Sequence, residues 1–142
     1  MSIFPMIDPS ESGEAVVQAL PLCREAAWDF ERDVPVFKGG RLETVTGKEA
    51  VKVWIWKALH TQRCRYDIYS MAYGSEFESL TGQEYSAAVK TAEAPRYLEE
   101  CLLVNPYIRS VRDVAVVFDI SVLAVSGTAV TIYGEVEFYA AV

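Results

Sequence analysis

His60 is the only histidine in the chain, so a serine or cysteine nucleophile activated by an imidazole would have to use it. It falls near the end of a predicted helix, where a histidine commonly complements the helix dipole. Cys64 lies between Arg63 and Arg65, a setting that can lower the pKa of a thiol. Nothing else near Cys64 completes a mechanism. These residues therefore predict no nucleophilic active site.

Acidic side chains are plentiful, and two of them facing each other across a cleft could hydrolyse a glycosidic bond. Glu135 and Glu137 alternate along a predicted strand, while Glu99 and Glu100 are adjacent on a predicted helix. Both patterns are typical of a solvated polar face. A cell-wall hydrolase stays an alternative, and it requires two carboxylates that line one cleft.

Cofactor and metal motifs are missing from the sequence. It contains neither a GxxxxGK[ST] nor a GxGxxG pattern, so no phosphate-binding loop is predicted. Cys23, Cys64 and Cys101 are odd in number and widely spaced, and none of them forms a CxxC pair. This spacing argues against a disulfide framework and against a zinc site, and it favours buried free thiols. We predict no catalytic residue, no cofactor and no metal ligand.

The formal net charge of −7 argues against nucleic acid and anionic lipid as partners, because both attract basic surfaces. No apolar run is long enough to span a bilayer. The first residues lack the basic and apolar regions of a signal peptide. We therefore expect neither nucleic acid nor a membrane among the partners.

The first half of the chain combines strand and helix signals. Residues 1–27 contain three prolines and are predicted to form an irregular N-terminal arm. Residues 28–45 are predicted to be strands, with Trp28 and Phe30 on the half-buried face and a hairpin turn at Gly39-Gly40. Thr46 and Glu49 have the spacing of a capping box, which predicts a helix to about residue 61.

That helix is apolar on two sides, since Trp54 and Trp56 fall on opposite faces. Such a helix must be covered twice, by its own fold or by a partner. We expect one indole to be core and the other, Trp56, to be a candidate protein contact. The other aromatic residues cannot all lie in the central core. Each of them can lie either at the edge of the core or in an interface, and both interpretations stay open.

Two further helical segments follow. Ser75 opens a second capping-box pattern, with Gly82 as the predicted stop of a short helix. Pro95 is predicted to divide residues 84–104 into two helices, because an interior proline removes a hydrogen bond. In the second of these helices, Leu98, Cys101 and Leu102 form the predicted inner stripe.

The last part of the chain predicts a long β-hairpin. Apolar residues alternate from Val114 to Ala124 and again from Val130 to Phe138, and Ser126-Gly127 is the predicted turn between them. The fold class is therefore α+β, a small antiparallel or mixed sheet with a long C-terminal β-hairpin and helices packed on one face. Residues 28–142 are predicted to form a single domain.

The order of several short motifs resembles one known family. The motifs are WDF (28–30), GGR (39–41), KVWIWKAL (52–59), RYDIYS (65–70), YGSEFESLTG (73–82) and LLVNPYIRSV (102–111). Over residues 28–142 the chain resembles the tail proteins of PBSX-like defective prophages. These are related to the baseplate wedge proteins that initiate the sheath in contractile tails, some of which carry a tail-lysozyme label that no motif here supports.

The resemblance implies a structural, non-enzymatic baseplate component, present in multiple copies in a phage tail particle that assembles in the bacterial host cytoplasm. The implied partners are the tail sheath subunit, which docks by strand addition, and other baseplate wedge proteins. Many relatives carry Glu-Pro-Arg before the hairpin, whereas this chain has Asn105-Pro106-Tyr107 and then Arg109. This turn therefore keeps the proline but lacks the acid and the adjacent arginine of those relatives. The candidate interaction residues are Trp56, Asn105, Pro106, Tyr107 and Arg109.

Two other functions stay open at this stage. A tail-associated cell-wall hydrolase would need the facing carboxylates described above. An unrelated small α+β binding module would show a concave apolar pocket with a few converging polar groups.

Overall fold

A computed structural model describes residues 20–77, 80, 86–119 and 122–141. Two helices, α1 (Lys48–His60) and α2 (Ala87–Leu102), pack against an antiparallel sheet of three strands. The strands are β7 (Ile108–Asp119), β8 (Val122–Thr131) and β9 (Gly134–Ala141), in the order β7-β8-β9. The predicted α+β class is confirmed.

In the described part of the chain before α1, six short strands pair in a nested series. They are β1 (Arg24–Ala26), β2 (Trp28–Asp29), β3 (Val34–Pro35), β4 (Phe37–Lys38), β5 (Arg41–Leu42) and β6 (Thr44–Thr46). β1 pairs with β6, β2 with β3, and β4 with β5. The backbones of Ala27, Val36 and Glu43 join the three pairs by hydrogen bonds of 2.8–3.0 Å.

The predictions for this region are partly confirmed. Gly39 and Gly40 form the expected turn, and their φ values of 59° and 77° suit residues without a Cβ. β2 ends at Asp29, so Phe30 lies in the connection to β3 and not on a strand as predicted. Residues 24–26 were predicted to be part of the irregular arm. They form β1 instead, because their backbone pairs with β6. The division into an arm and a domain stays a prediction, since residues 1–19 are outside the described part.

α1 has almost the predicted range, but not the predicted cap. Gly47 is the N-cap, with a φ of 64°, and no side chain caps the helix, so the capping box from Thr46 is wrong. The two-sided apolar character is satisfied within the fold. β1, β6, α2 and β9 all contact α1, and the side chains of Val51, Val53, Ile55 and Leu59 are buried.

Pro95 does not divide α2, which is continuous from Ala87 to Leu102. The predicted inner stripe is confirmed, because Leu98, Cys101 and Leu102 are fully buried. Burying a leucine contributes about 1.5–3 kcal/mol, so two leucines offset the ~3 kcal/mol cost of an interior proline. The short helix predicted from Ser75 to Gly82 lies largely outside the described residues.

The terminal sheet turns at places other than the predicted one. Ser126 and Gly127 lie inside β8, paired with Tyr139 and Phe138 of β9. A Cβ on Gly127 would come within 2.9 Å of the Phe138 ring, so this glycine makes room for an aromatic side chain. One chain reversal is at Ile132-Tyr133, followed by Gly134 with a φ of 114°, and β7 connects to β8 through residues 120–121.

This topology changes which residues of β8 face inward. Phe118 of β7 pairs with Leu123 of β8, so these two side chains lie on the same face of the sheet. The inward-facing residues are therefore even-numbered at the end of β7 and odd-numbered in β8. Leu123 and Val125 are therefore fully buried, while Val122, which was predicted to face inward, is exposed. In β9 the predicted inward residues Val136 and Phe138 are buried.

The cysteines differ in accessibility. Cys23 and Cys101 are buried, as predicted, but Cys64 is exposed because it lies in the loop after α1. Burial raises the pKa of the Cys101 thiol to about 12. Burial, followed by the charge of Glu25, also raises the pKa of Cys23.

We expect Cys64 to be the one thiol of the native protein that reacts quickly with an aromatic disulfide reagent at about pH 8, because the thiolate is the reacting form. Cys23 and Cys101 should react only after denaturation. The absorbance of the released thiolate measures this, and Cys64→Ser should remove the fast phase. Two or three fast thiols in the native protein would contradict the burial of Cys23 or Cys101.

Candidate protein-interaction site

Trp56 lies in an aromatic cluster on the surface of α1. Its indole N–H donates to Asp33 Oδ1 at 3.0 Å, and its ring centroid is 5.1 Å from that of Phe30 and 4.2 Å from that of His60. His60 donates from Nδ1 to the carbonyl oxygen of Trp56 at 2.8 Å, since a carbonyl can only accept. The side chain of His60 therefore bonds to a backbone carbonyl in the last turns of α1 and stacks on the indole of Trp56.

Asp33 joins this cluster to the strands before α1. Besides Trp56 it accepts the indole N–H of Trp28, also at 3.0 Å. These hydrogen bonds, the one from Trp56 first, lower the pKa of the Asp33 carboxyl from its ordinary value of 3.8. Asp33 has a φ of 56°, a conformation that aspartate tolerates better than most residues. The sequence prediction missed this residue, although an aspartate in a short strand connection is a recognisable signal.

The connection from β2 to β3 is further ordered by Asp29. Its Oδ1 accepts the backbone N–H groups of Glu31 and Arg32 at 3.0 and 3.1 Å. Two aspartates therefore fix a loop of four residues, and that loop carries Phe30 and Glu31 along the flank of α1.

A groove of about 470 Å³ lies between α1, the β2–β3 loop and β9. Its lining is mostly apolar: Phe30, Glu31, Lys52, Ile55, Trp56, Leu59, Glu137, Phe138 and Tyr139. A second hollow of about 400 Å³ shares Lys52 and Glu137 with it and continues toward Lys48 and Glu135. We call the two together the α1–β9 groove.

The outer edge of β9 borders this groove and is unpaired within the described residues. Thr131 and Gly134 flank a two-residue connection, and such residues form a hydrogen-bonded pair in an antiparallel ladder. Hydrogen-bonded and non-hydrogen-bonded pairs then alternate along β8 and β9. Counting from the connection between β7 and β8 leads to the same assignment of the β8 residues. The residues of β9 whose N–H groups point to the open edge are therefore Glu135, Glu137, Tyr139 and Ala141.

The prolyl turn after α2 lies at a different place. Asn105 is buried, and its Oδ1 accepts the N–H of Tyr107 at 2.8 Å, so its side chain shapes the turn. Tyr107 is half-buried: its hydroxyl donates to the Pro21 carbonyl at 2.6 Å and its ring stacks on Tyr133. Tyr133, which the sequence analysis missed, accepts the N–H of Cys23 at 3.0 Å.

Pro106 in this turn and Arg109 at the start of β7 are exposed. Asn105, Pro106 and Tyr107 line a hollow of about 530 Å³ together with residues 22–25, Tyr73 and Trp54. Trp54 and Trp56 thus open onto different hollows, and both are half-buried. Of the two, Trp54 packs against the hydrophobic core, so the prediction that one indole is core is confirmed in part. The structure does not bring Trp56 and the prolyl turn together.

The aromatic loop after α1 is a further exposed surface. Tyr69 lies 6.2 Å from Tyr66 and 4.7 Å from Tyr73 between ring centroids, and Ile68 and Met71 are more than 80% exposed. Backbone hydrogen bonds of 2.8 and 2.9 Å to Ser75 close the base of this loop. Nothing in the described residues covers its apolar tip.

Several of the described acidic side chains are exposed or form ion pairs with arginines. Glu135 and Glu137 are exposed on β9, where Glu135 pairs with Arg112, and Arg96 pairs with both Glu93 and Glu100 on α2. Among the described residues, no group of three or more His, Cys, Asp or Glu side chains is arranged to hold a metal ion. No helix in that part of the chain is long and apolar enough to cross a membrane.

Within the described residues, the chain is an α+β module whose antiparallel sheet has an unpaired, regular edge beside an apolar groove, a geometry that suits strand addition. The model of the contractile injection system sheath initiator family matches residues 24–134, and the chain belongs to this family. It is also similar to the phage-like element PBSX protein XkdS of Bacillus subtilis (strain 168), with 40% identity over 80 residues. That match covers 54% of this chain and 57% of the relative, so the chain spans little more than half of the relative's length. The resemblance to PBSX-like prophage tail proteins is confirmed.

We expect Asp33→Asn to change how stability depends on pH. A carboxyl whose pKa is lowered by folding stabilises the protein above its unfolded pKa and loses that contribution as the pH falls through the folded value. Asparagine keeps an oxygen that can accept from both indoles but does not titrate.

Urea unfolding at several pH values measures this effect. The free energy of unfolding of the wild type should fall more steeply than that of Asp33→Asn between about pH 5 and pH 3. Asp33→Ala should lose about 1 kcal/mol at neutral pH, because two exposed hydrogen bonds disappear. Parallel curves for the wild type and Asp33→Asn would contradict the assigned role of the carboxylate.

Proposed function

We propose that this chain is a structural baseplate component on which the first subunits of a contractile tail sheath assemble, and that it has no catalytic role. Membership of the sheath initiator family supports the assembly role. The single observation in the structure that carries the proposal is the edge of β9, which no described residue pairs with and which is eight residues long without a register shift. The expected place of action is the tail particle, with multiple copies at the base of the sheath.

An open edge supports assembly because unpaired N–H and C=O groups can bind an extended segment of another chain. The other outer strand, β7, is less suitable. Its pairing with β8 shifts between Ile108 and Ser110 and again between Arg112 and Ala115, and Asp113 has a φ of 54°. Such bulges bend a strand and interrupt a regular edge. We therefore assign sheath docking to β9.

The prolyl turn is a separate candidate contact, which we assign to another baseplate wedge protein. Pro106 and Arg109 are exposed, and no ion pair involves Arg109 within the described residues. Asn105 and Tyr107 contribute mainly by holding the turn, through the Tyr107 backbone N–H and the Pro21 carbonyl. Replacing Tyr107 would therefore disturb both the fold and the turn, and Arg109 offers the cleaner test.

We expect proline at Glu137 or Tyr139 to abolish binding of the sheath subunit encoded beside this chain, since it removes an N–H that points to the open edge. The sheet should persist, because these N–H groups do not bond to β8. Pull-down with a tagged protein measures binding, and circular dichroism checks the fold. The matched controls Glu137→Gln and Tyr139→Phe retain the N–H and the shape of the side chain, and should bind more tightly than the proline variants.

Two results would count against this function. Undiminished binding by both folded proline variants would show that the sheath does not dock on β9. Failure of the unaltered chain to bind any sheath subunit would contradict the sheath-initiating role itself.

We expect Arg109→Ala to weaken association with baseplate wedge proteins while changing the free energy of unfolding by no more than about 0.5 kcal/mol, as is usual for an exposed side chain. Arg41→Ala is the matched control, because Arg41 is an exposed arginine on the β4–β5 hairpin. Co-purification with the wedge proteins measures association. Equal effects of the two substitutions would remove the prolyl turn as a specific contact.

A further inference from the structure

The α1–β9 groove lies where the side chains of an added strand would fall. A strand that pairs with β9 lies about 4.8 Å from it, and every second side chain of that strand points to the inner face of the sheet. On that face the groove presents Ile55, Trp56 and Leu59 of α1 as its floor. Phe30 and Glu31 form the wall opposite β9, so the space between wall and edge is bounded on both sides.

The groove changes in character along its length. Near Tyr139 its lining is mainly aromatic and aliphatic, whereas near Gly134 it is formed by Lys48, Glu49, Lys52, Glu135 and Glu137 around Val136. An extended segment lying along β9 would therefore meet an apolar surface at one end and a charged surface at the other. Burial of apolar side chains at the first end and ion pairs at the second end would select one register of the segment.

We propose that the α1–β9 groove selects the sheath segment that pairs with β9, by binding its inward-facing side chains. The segment has large apolar residues at alternate positions near Tyr139 and polar residues, at least one of them basic, near Gly134. This inference rests on the proposed function, because it concerns the same edge of β9. It adds side-chain specificity to a backbone contact that would otherwise accept any extended peptide.

The charge along the edge of β9 supports a basic residue in that segment. In the groove itself the acids Glu31 and Glu49 are balanced by the amines of Lys48 and Lys52, whereas Glu135 and Glu137 alternate with buried residues of β9 and carry their carboxylates on the outer face of the same edge. One of these carboxylates, that of Glu135, already pairs with Arg112. The Lys52 amine lies 5.6 Å from the Phe30 ring centroid. The carboxylate of Glu137 is therefore complementary to a lysine or arginine among the outward-facing residues of the partner segment.

Asp33 acts here as a positioning residue. It accepts the indole N–H groups of Trp28 and Trp56, and so fixes Trp56 in the floor and the β2–β3 loop that carries the wall. Rigid aromatic side chains lose little conformational entropy when a partner binds them. These two hydrogen bonds of Asp33 therefore hold the groove in shape before the segment binds.

Filling the groove tests the proposal without touching the backbone edge. Lys52→Trp inserts a bulky side chain from α1, and Glu31→Trp inserts one from the opposite wall. Ala92→Trp is the matched control, because Ala92 is exposed on α2 and does not line the groove. Biolayer interferometry with the sheath subunit gives the affinity. Hydrogen exchange of the Glu137 and Tyr139 amides shows whether the edge becomes paired.

Both groove-filling variants should bind the sheath subunit about tenfold more weakly than the wild type, and Ala92→Trp should stay within about twofold of it. In the wild type the Glu137 and Tyr139 amides should become protected on binding. Unchanged affinity of both groove variants, while proline at Glu137 still abolishes binding, would overturn the groove proposal and leave strand addition intact. Absence of binding by the wild type would overturn the proposed function, and the groove proposal with it.

Discussion

The burial of α1 on two sides is the constraint on which the rest of the structure depends. Its apolar residues cannot be covered by one sheet, so the nested strands before it pack on one side while α2 and β9 pack on the other. Separate elements that pack around one helix leave gaps where they meet. The α1–β9 groove is one such gap, and the hollow beside Trp54 and the prolyl turn is another. Trp54 and Trp56 line these boundaries because they lie between the fully buried stripes of the helix.

Patterns that depend on local chemistry were predictable from the sequence. The range of α1 follows from its apolar periodicity, and the Gly39-Gly40 turn follows from the positive φ values that only glycine adopts at no cost. The inner stripe of α2 follows from spacing alone. The resemblance, based on motif order, identified the family that the later comparison confirmed.

Features decided by long-range packing were not predictable in this way. Ser126-Gly127 has turn chemistry, yet Gly127 is needed in the middle of β8 because the Phe138 ring lies against it. Pro95 is a helix breaker in isolation, but burial of Leu98 and Leu102 against the sheet outweighs its cost. The same limit applies to the site. Trp56 could be proposed from its position on α1, whereas Asp33 and Tyr133 act through partners that are distant in sequence.

An exposed, regular strand edge is also a liability, because two copies of the chain could pair through it. In β9 the acidic residues Glu135 and Glu137 alternate with buried ones, and antiparallel pairing of two such edges would bring carboxylates of both copies close together. The chain as a whole carries a net charge of −7, which adds to the repulsion between copies. A partner strand with a basic residue meets attraction at the same positions. The acids of β9 can therefore discourage self-association and favour a different chain at this edge.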